Sequence, residues 1–234
     1  MTIIALNNKS NLSKEEFKEY ISNLNNINTN NPVILCPIYL NIPLFSSNKI
    51  FLGAQNVSKT NNGAYTGEVS ASQLKSFNVK YCIVGHSERR QLLKETNEDI
   101  SEKIKRLVSN DIVPILCIGE TQEEYNNHKT KEVILSELKE SLGDLNDEEI
   151  KKIIIAYEPI WSIGTGLIPT IEEIDSVLEY IKTLLPYNKV LYGGSANDEN
   201  IDILKTSKYI DGYLLGGLSL KVDKLQLFLN KLSN

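Results

Sequence analysis

The chain has 234 residues, 41% hydrophobic and 24% charged, the balance of a folded domain with a sizeable core, which excludes disordered and collagen-like classes. Its formal net charge of −5 argues against nucleic acid as a partner, and no apolar run reaches the ~18 residues that a membrane-spanning helix would need. Met1 to Lys9 is too short and lacks the cleavage pattern of a signal peptide, so a soluble protein of the cytoplasm is expected, with Cys36, Cys82 and Cys117 as reduced core residues.

In chain order, strand-like runs fall at Thr2 to Leu6, Pro32 to Cys36, Ile50 to Gly53, Tyr81 to Val84, Val113 to Ile118, Ile153 to Tyr157, Lys189 to Tyr192 and Ile210 to Leu215. Most are short and apolar with little alternation, as parallel strands covered on both faces require. Helical segments separate them. Ser13 with Glu16, Asn146 with Glu149 and Thr170 with Glu173 each place a capping residue three positions before a carboxylate. From Ile171 to Leu185, the apolar residues Ile171, Ile174, Val177, Leu178, Ile181 and Leu185 repeat at helical spacing. Strand and helix alternate throughout, which implies a parallel α/β domain, closed as a barrel or open as a doubly wound sheet; periodicity leaves both open. No Pro, Gly or Ser-rich linker divides the chain, so a single domain over residues 1–234 is expected.

Several residues with chemical potential lie just past these runs. Asn7 and Lys9 follow the first, although a lysine there is by default a surface charge. His86 follows the fourth, before a segment that can turn helical; the positive end of such a helix would disfavour an added proton and keep the ring a neutral donor. His128, in a strongly polar stretch, reads as a surface residue. Glu158 closes the sixth run, at the edge where α/β folds bind ligands, and the following Pro159, Trp161 and Gly164-Thr-Gly166 suggest a loop with rigid ends. Glycine pairs after the seventh and eighth runs, Gly193-Gly194 and Gly216-Gly217, are plain turns or anion-binding cradles of backbone N–H groups.

Together these segments resemble the triosephosphate isomerase family from one end of the chain to the other. The runs that carry the resemblance are Val84-Gly-His-Ser-Glu-Arg-Arg90, Cys117-Ile-Gly-Glu120, Ala156-Tyr-Glu-Pro-Ile-Trp161, Ile163-Gly-Thr-Gly166, Tyr192-Gly-Gly-Ser195 and Gly212 to Gly217. The resemblance implies a (β/α)₈ TIM barrel that interconverts dihydroxyacetone phosphate and D-glyceraldehyde 3-phosphate, a step of glycolysis and gluconeogenesis, without metal or organic cofactor. It implies Glu158 as base, His86 as electrophile, Lys9 as the cation offsetting phosphate and enediolate charge, and Asn7 as a polar partner of the substrate oxygens. Gly164, Ser195, Gly216 and Gly217 match the phosphate cradle, residues 159–169 a closing lid, and Glu88 an acid near the catalytic lysine. Gly63-Ala-Tyr-Thr-Gly-Glu68, which contains Thr66, resembles a loop through which the family forms homodimers. No membrane partner is implied.

Two places depart from the family pattern. Asn8 replaces an aromatic residue between Asn7 and Lys9, which predicts altered packing there. At the far end of the lid stands Leu167-Ile168-Pro169 instead of Lys-Thr-Ala. A tyrosine matching Tyr192 accepts or shares a hydrogen bond with the backbone N–H at the position of Pro169 when the lid is shut, and proline has none to give. Two other readings stay open on the sequence: another phosphate-binding barrel enzyme, and a non-catalytic barrel homologue.

Overall fold

The computed structural model describes residues 1–163 and 169–233. Short apolar runs form β1 (Ile3–Asn7), β2 (Val33–Cys36), β3 (Phe51–Ala54), β4 (Tyr81–Val84), β5 (Val113–Ile118), β6 (Ile154–Tyr157), β7 (Val190–Tyr192) and β8 (Gly212–Leu215). Each pairs in parallel with the next, and β8 returns to β1, with Ile3 opposite Gly212 and Leu6 opposite Leu215. The sheet is therefore closed, and the eight strands take the expected positions to within a residue or two at their ends.

Closure explains why the strands are apolar without alternating with polar residues. Ala5, Ile34, Cys36, Ile83, Ile115, Cys117 and Leu214 fill the barrel interior. Their neighbours Ile4, Leu6, Leu35, Cys82, Val84, Leu116 and Leu215 face outward into the layer beneath the helices. Both faces are dry, so both sets must be apolar. All three cysteines are free and buried, as expected.

The covering helices are α1 (Lys14–Leu24), α2 (Ala71–Ser76), α3 (Ser87–Leu93), α4 (Asn97–Val108), α5 (Gln122–Asn126), α6 (Thr130–Leu142), α7 (Asp147–Ile150), α8 (Ile171–Leu184), α9 (Ile201–Leu204) and α10 (Val222–Ser233). The expected caps are present: Glu16 Oε2 accepts the Ser13 N–H at 2.8 Å, and Asn146 with Glu149 and Thr170 with Glu173 bond reciprocally. The same device starts α2, α4 and α5 at Ser70, Thr96 and Thr121, beyond those expected. Each such cap satisfies N–H groups that the helix cannot, a contribution of about 1 kcal/mol. α8 buries Ile174, Val177, Leu178 and Ile181 against the barrel, with Ile171 and Leu185 half-buried at its ends. No helix among the described residues is long and apolar enough to cross a membrane.

Candidate active site

Parallel strands deliver all their C-terminal ends to one rim, and the residues singled out in the sequence meet there. Asn7 ends β1, His86 stands two residues past β4, Glu158 one past β6, and the two glycine pairs follow β7 and β8. Asn7, Lys9, His86, Glu158, Ser195, Gly216 and Gly217 line one cavity of about 410 Å³. A larger hollow of about 790 Å³ lies between α1 and the start of α10, but its carboxylates are exposed and it holds no histidine, so it offers no acid–base pair.

Glu158 and His86 are buried, 2% and 6% exposed, and touch: His86 Nε2 lies 3.0 Å from Glu158 Oε1. The second carboxylate oxygen accepts the Ser87 N–H at 2.9 Å, at the start of α3. His86 caps that helix, its Nδ1 accepting the Glu88 N–H at 3.3 Å, which leaves the ring proton on Nε2. The turn before it needs Gly85, whose φ of 68° is left-handed.

Burial alone would raise the Glu158 pKa, yet His86, the Ser87 N–H and Lys9 together hold it below the ordinary 4.5. Burial alone would lower the His86 pKa, yet the Glu158 carboxylate at contact, aided by Glu88 and opposed by Lys9, raises it above 6.5. The ring is thus a better base than the helix terminus alone predicts. Glu158 contributes most of the difference, and that part lasts only while its carboxylate points at the ring.

Lys9 adopts a left-handed backbone, φ 52°, a strain of about 1–2 kcal/mol for a residue with a side chain. Its N–H is held by Asn7 Oδ1 at 3.0 Å and its carbonyl by Gln55 Nε2 at 2.8 Å. The ammonium pairs with Glu88, the acid that the resemblance sets near it. Lys9 also lies along Gly216, where a Cβ would come within 3.1 Å of Lys9 Cε. Asn8 turns away from the cavity and is 1% exposed. Its Nδ2 donates to Tyr20 Oη at 3.3 Å and to Ser219 Oγ at 3.2 Å, and Ser219 Oγ donates to the Asn7 carbonyl at 3.1 Å. The expected change in packing is therefore a polar tie between β1 and the turn after β8.

Of the expected cradle, Gly164 lies outside the described residues, as do Leu167 and Ile168 of the expected lid. Ser195 Oγ donates to the Ser162 carbonyl at 2.9 Å, joining the turn after β7 to the near end of that loop. Trp161 Nε1 donates to Glu120 Oε1 at 2.8 Å, and Tyr157 Oη to the same atom at 3.1 Å. Tyr192 Oη is buried without a hydrogen-bond partner among the described residues, and burial pushes its pKa up to about 12, with the nearby Ser162 hydroxyl opposing. Pro169 is buried and has no N–H to offer it. His128 is exposed and is not among the residues that line this cavity.

Glu137, outside every motif quoted above, makes a supporting contact with Arg90. Glu137 sits mid-helix on α6 and reads as an ordinary surface acid, but its side chain is only 13% exposed and lies 3.3 Å from Arg90 Nη1.

The sequence model of the family described as triosephosphate isomerase matches residues 2–232 of the chain. A triosephosphate isomerase of Mesomycoplasma hyorhinis is 45% identical over 98% of this chain and 99% of its own length. One from Mycoplasmopsis pulmonis is 40% identical over 94% of each chain. One from Clostridium botulinum (strain Loch Maree) is 36% identical over 97% of this chain and 98% of its own.

Proposed function

This chain belongs to the triosephosphate isomerase family, and we propose that Glu158 is the base and His86 the electrophile with which it interconverts dihydroxyacetone phosphate and D-glyceraldehyde 3-phosphate. The contact of Glu158 Oε1 with His86 Nε2 at 3.0 Å inside the rim cavity carries this reading. In the reaction, Glu158 leaves the ring and takes a proton from the carbon beside the carbonyl. Electron density moves onto the carbonyl oxygen, which the His86 Nε2–H and the Lys9 charge stabilise, giving an enediolate. Passing the hydroxyl proton to the former carbonyl oxygen by way of His86 Nε2, and returning the carbon-bound proton from Glu158 to the neighbouring carbon, completes the isomerisation with no net change in the enzyme.

Once Glu158 swings to the substrate, the largest of the contributions that raised the His86 pKa is gone, and only the Glu88 carboxylate still raises it. Burial, Lys9 and the Glu88 N–H on Nδ1 remain, and all three favour the neutral ring that donates without carrying charge. The phosphate is held by backbone N–H groups at Ser195, Gly216, Gly217 and Gly164, with Lys9 nearby and Asn7 facing the substrate oxygens. Residues 159–169 shut over the site, excluding water that would let the enediolate lose its phosphate.

The chain works as one domain, because a single closed barrel uses strands from both ends of the sequence. It works in the cytoplasm, as a homodimer through the loop containing Thr66. The loop from Gly63 to Glu68 is exposed throughout, and exposed Leu92 and Leu93 flank a second hollow of about 390 Å³ that reaches Lys9 and His86. A coupled assay of glyceraldehyde 3-phosphate isomerisation with wild type, Glu158→Asp and His86→Gln tests the central claim. Turnover falling by about 10²–10⁴ in both variants is expected; equal activity in all three proteins would show that other groups move the proton.

A further inference from the structure

His86 and Glu158 come from different loops, and their spacing depends on what joins those loops behind the cavity. Arg90, in the same segment as His86, donates to the Gly85 carbonyl at 2.8 Å and to the Cys117 carbonyl at 3.2 Å, bridging the ends of β4 and β5. The backbone of Glu158 rests on the latter strand: its N–H donates to the Ile118 carbonyl at 2.8 Å, and a Cβ on Gly119 would lie 1.8 Å from the Glu158 carbonyl oxygen. Only glycine permits that approach. Glu137, reaching in from α6, touches both sides: Oε1 lies 3.3 Å from Arg90 Nη1, and Oε2 accepts the Gly119 N–H at 2.9 Å.

We propose that Glu137 is a positioning residue for the proton transfer, setting the spacing of His86 and Glu158 by joining Arg90 to the Gly119 amide. The inference rests on the isomerase reading above. Arg90 also holds Asn97 Oδ1 at 2.6 Å, so it keeps three neutral partners if Glu137 loses its charge. The charge decides how tightly α6 draws Arg90 and Gly119 together. The charged groups facing it are Arg90 on α3, Glu124 on α5 and Glu158 after β6. Burial pushes its pKa up to about 7, against the pull of Arg90 and the Gly119 N–H. The clamp therefore strengthens as pH rises through neutrality.

Glu137→Gln keeps the shape and an acceptor for Gly119 but is permanently neutral. Measured from about pH 6 to about pH 8, the ratio of wild-type to variant kcat cancels the titration of the substrate phosphate and of the shared catalytic groups. That ratio is expected to rise from about one to roughly five- to tenfold with KM within about twofold, and Glu137→Asp should recover part of the loss at high pH. A ratio flat within about twofold, or a loss confined to KM, would overturn the proposal. The chain has only two histidines, so the ring ¹⁵N titration of His86 is readily followed and gives a readout without turnover. It should differ between wild type and Glu137→Gln. If wild type shows no turnover, the isomerase reading fails on its own account, and coincident His86 curves would then overturn this inference separately.

Discussion

Asn8 Nδ2 donates to Ser219 Oγ at 3.2 Å across the seam where the first strand meets the turn after the last. The seam carries Asn7 and Lys9 on one side and Gly216-Gly217 on the other, so a hydrogen bond hidden behind the cavity holds its walls in register. Asn8→Ala would leave a small void and a weakened tie. We expect a stability loss of about 1–3 kcal/mol in urea unfolding and a rise of a fewfold in KM with little change in kcat. Unchanged stability and KM would mean that the tie contributes nothing.

The Glu158–His86 contact also links folding to pH. Glu158, held below 4.5, contributes stability that is present above that value and lost as pH falls through its folded pKa. His86, raised above 6.5, contributes stability that is full below that value and lost as pH rises through its folded pKa. The advantage of wild type over His86→Gln in thermal melting should therefore peak between about pH 4.5 and 6.5 and shrink on both sides. Glu137 titrates in both proteins and cancels in the difference. An advantage that grows steadily above pH 7 would contradict this assignment.

Pro169→Ala restores an N–H at the far end of the lid, where Tyr192 Oη now lacks a partner among the described residues. A net hydrogen bond of about 0.5–1.5 kcal/mol favours the closed form several-fold to roughly tenfold. Affinity for a phosphate-bearing enediolate analogue should increase by a similar factor, less what is lost by removing a stiff hinge. Equal affinity and equal kcat would show that the Tyr192 hydroxyl is satisfied another way, Ser162 being the nearest alternative.

Thr66→Arg places a charge in the middle of the loop assigned to the subunit contact. Sedimentation over a range of concentrations should show a wild-type dimer and a variant that is largely monomeric, with activity reduced by about tenfold or more. Wild type sedimenting as a monomer would remove the dimer from the account.

What the sequence shows of this protein is what local chemistry writes. Strand positions are legible because a closed barrel makes both strand faces apolar, and helix starts such as Thr170 with Glu173 are legible because a cap and its partner lie within one turn. Glu158 and His86 stand out because a polar residue directly after an apolar run sits on the rim. Asn8 stands out only as a departure from the family pattern, and its role does not, since its partner Ser219 is 211 positions away. Glu137 likewise gains its meaning only from Arg90 and Gly119, which reach it from helix α3 and from the loop after β5. The protonation of His86 is hidden for the same reason: the neighbouring helix can be read along the chain, whereas the carboxylate facing the ring is brought there by folding.

The pairing of β1 with β8 has a consequence for how the protein is made. The first strand leaves the ribosome with one edge bare, and its partner is the last of the barrel's strands to follow, so the nascent barrel carries an open, apolar edge until the other seven have been made. Lys9 and Gly216 become neighbours only when β8 pairs with β1. A chain cut short before β8 would lack both the final ladder and half of its anion pocket, so premature termination should yield a sticky, inert product in place of a weak enzyme.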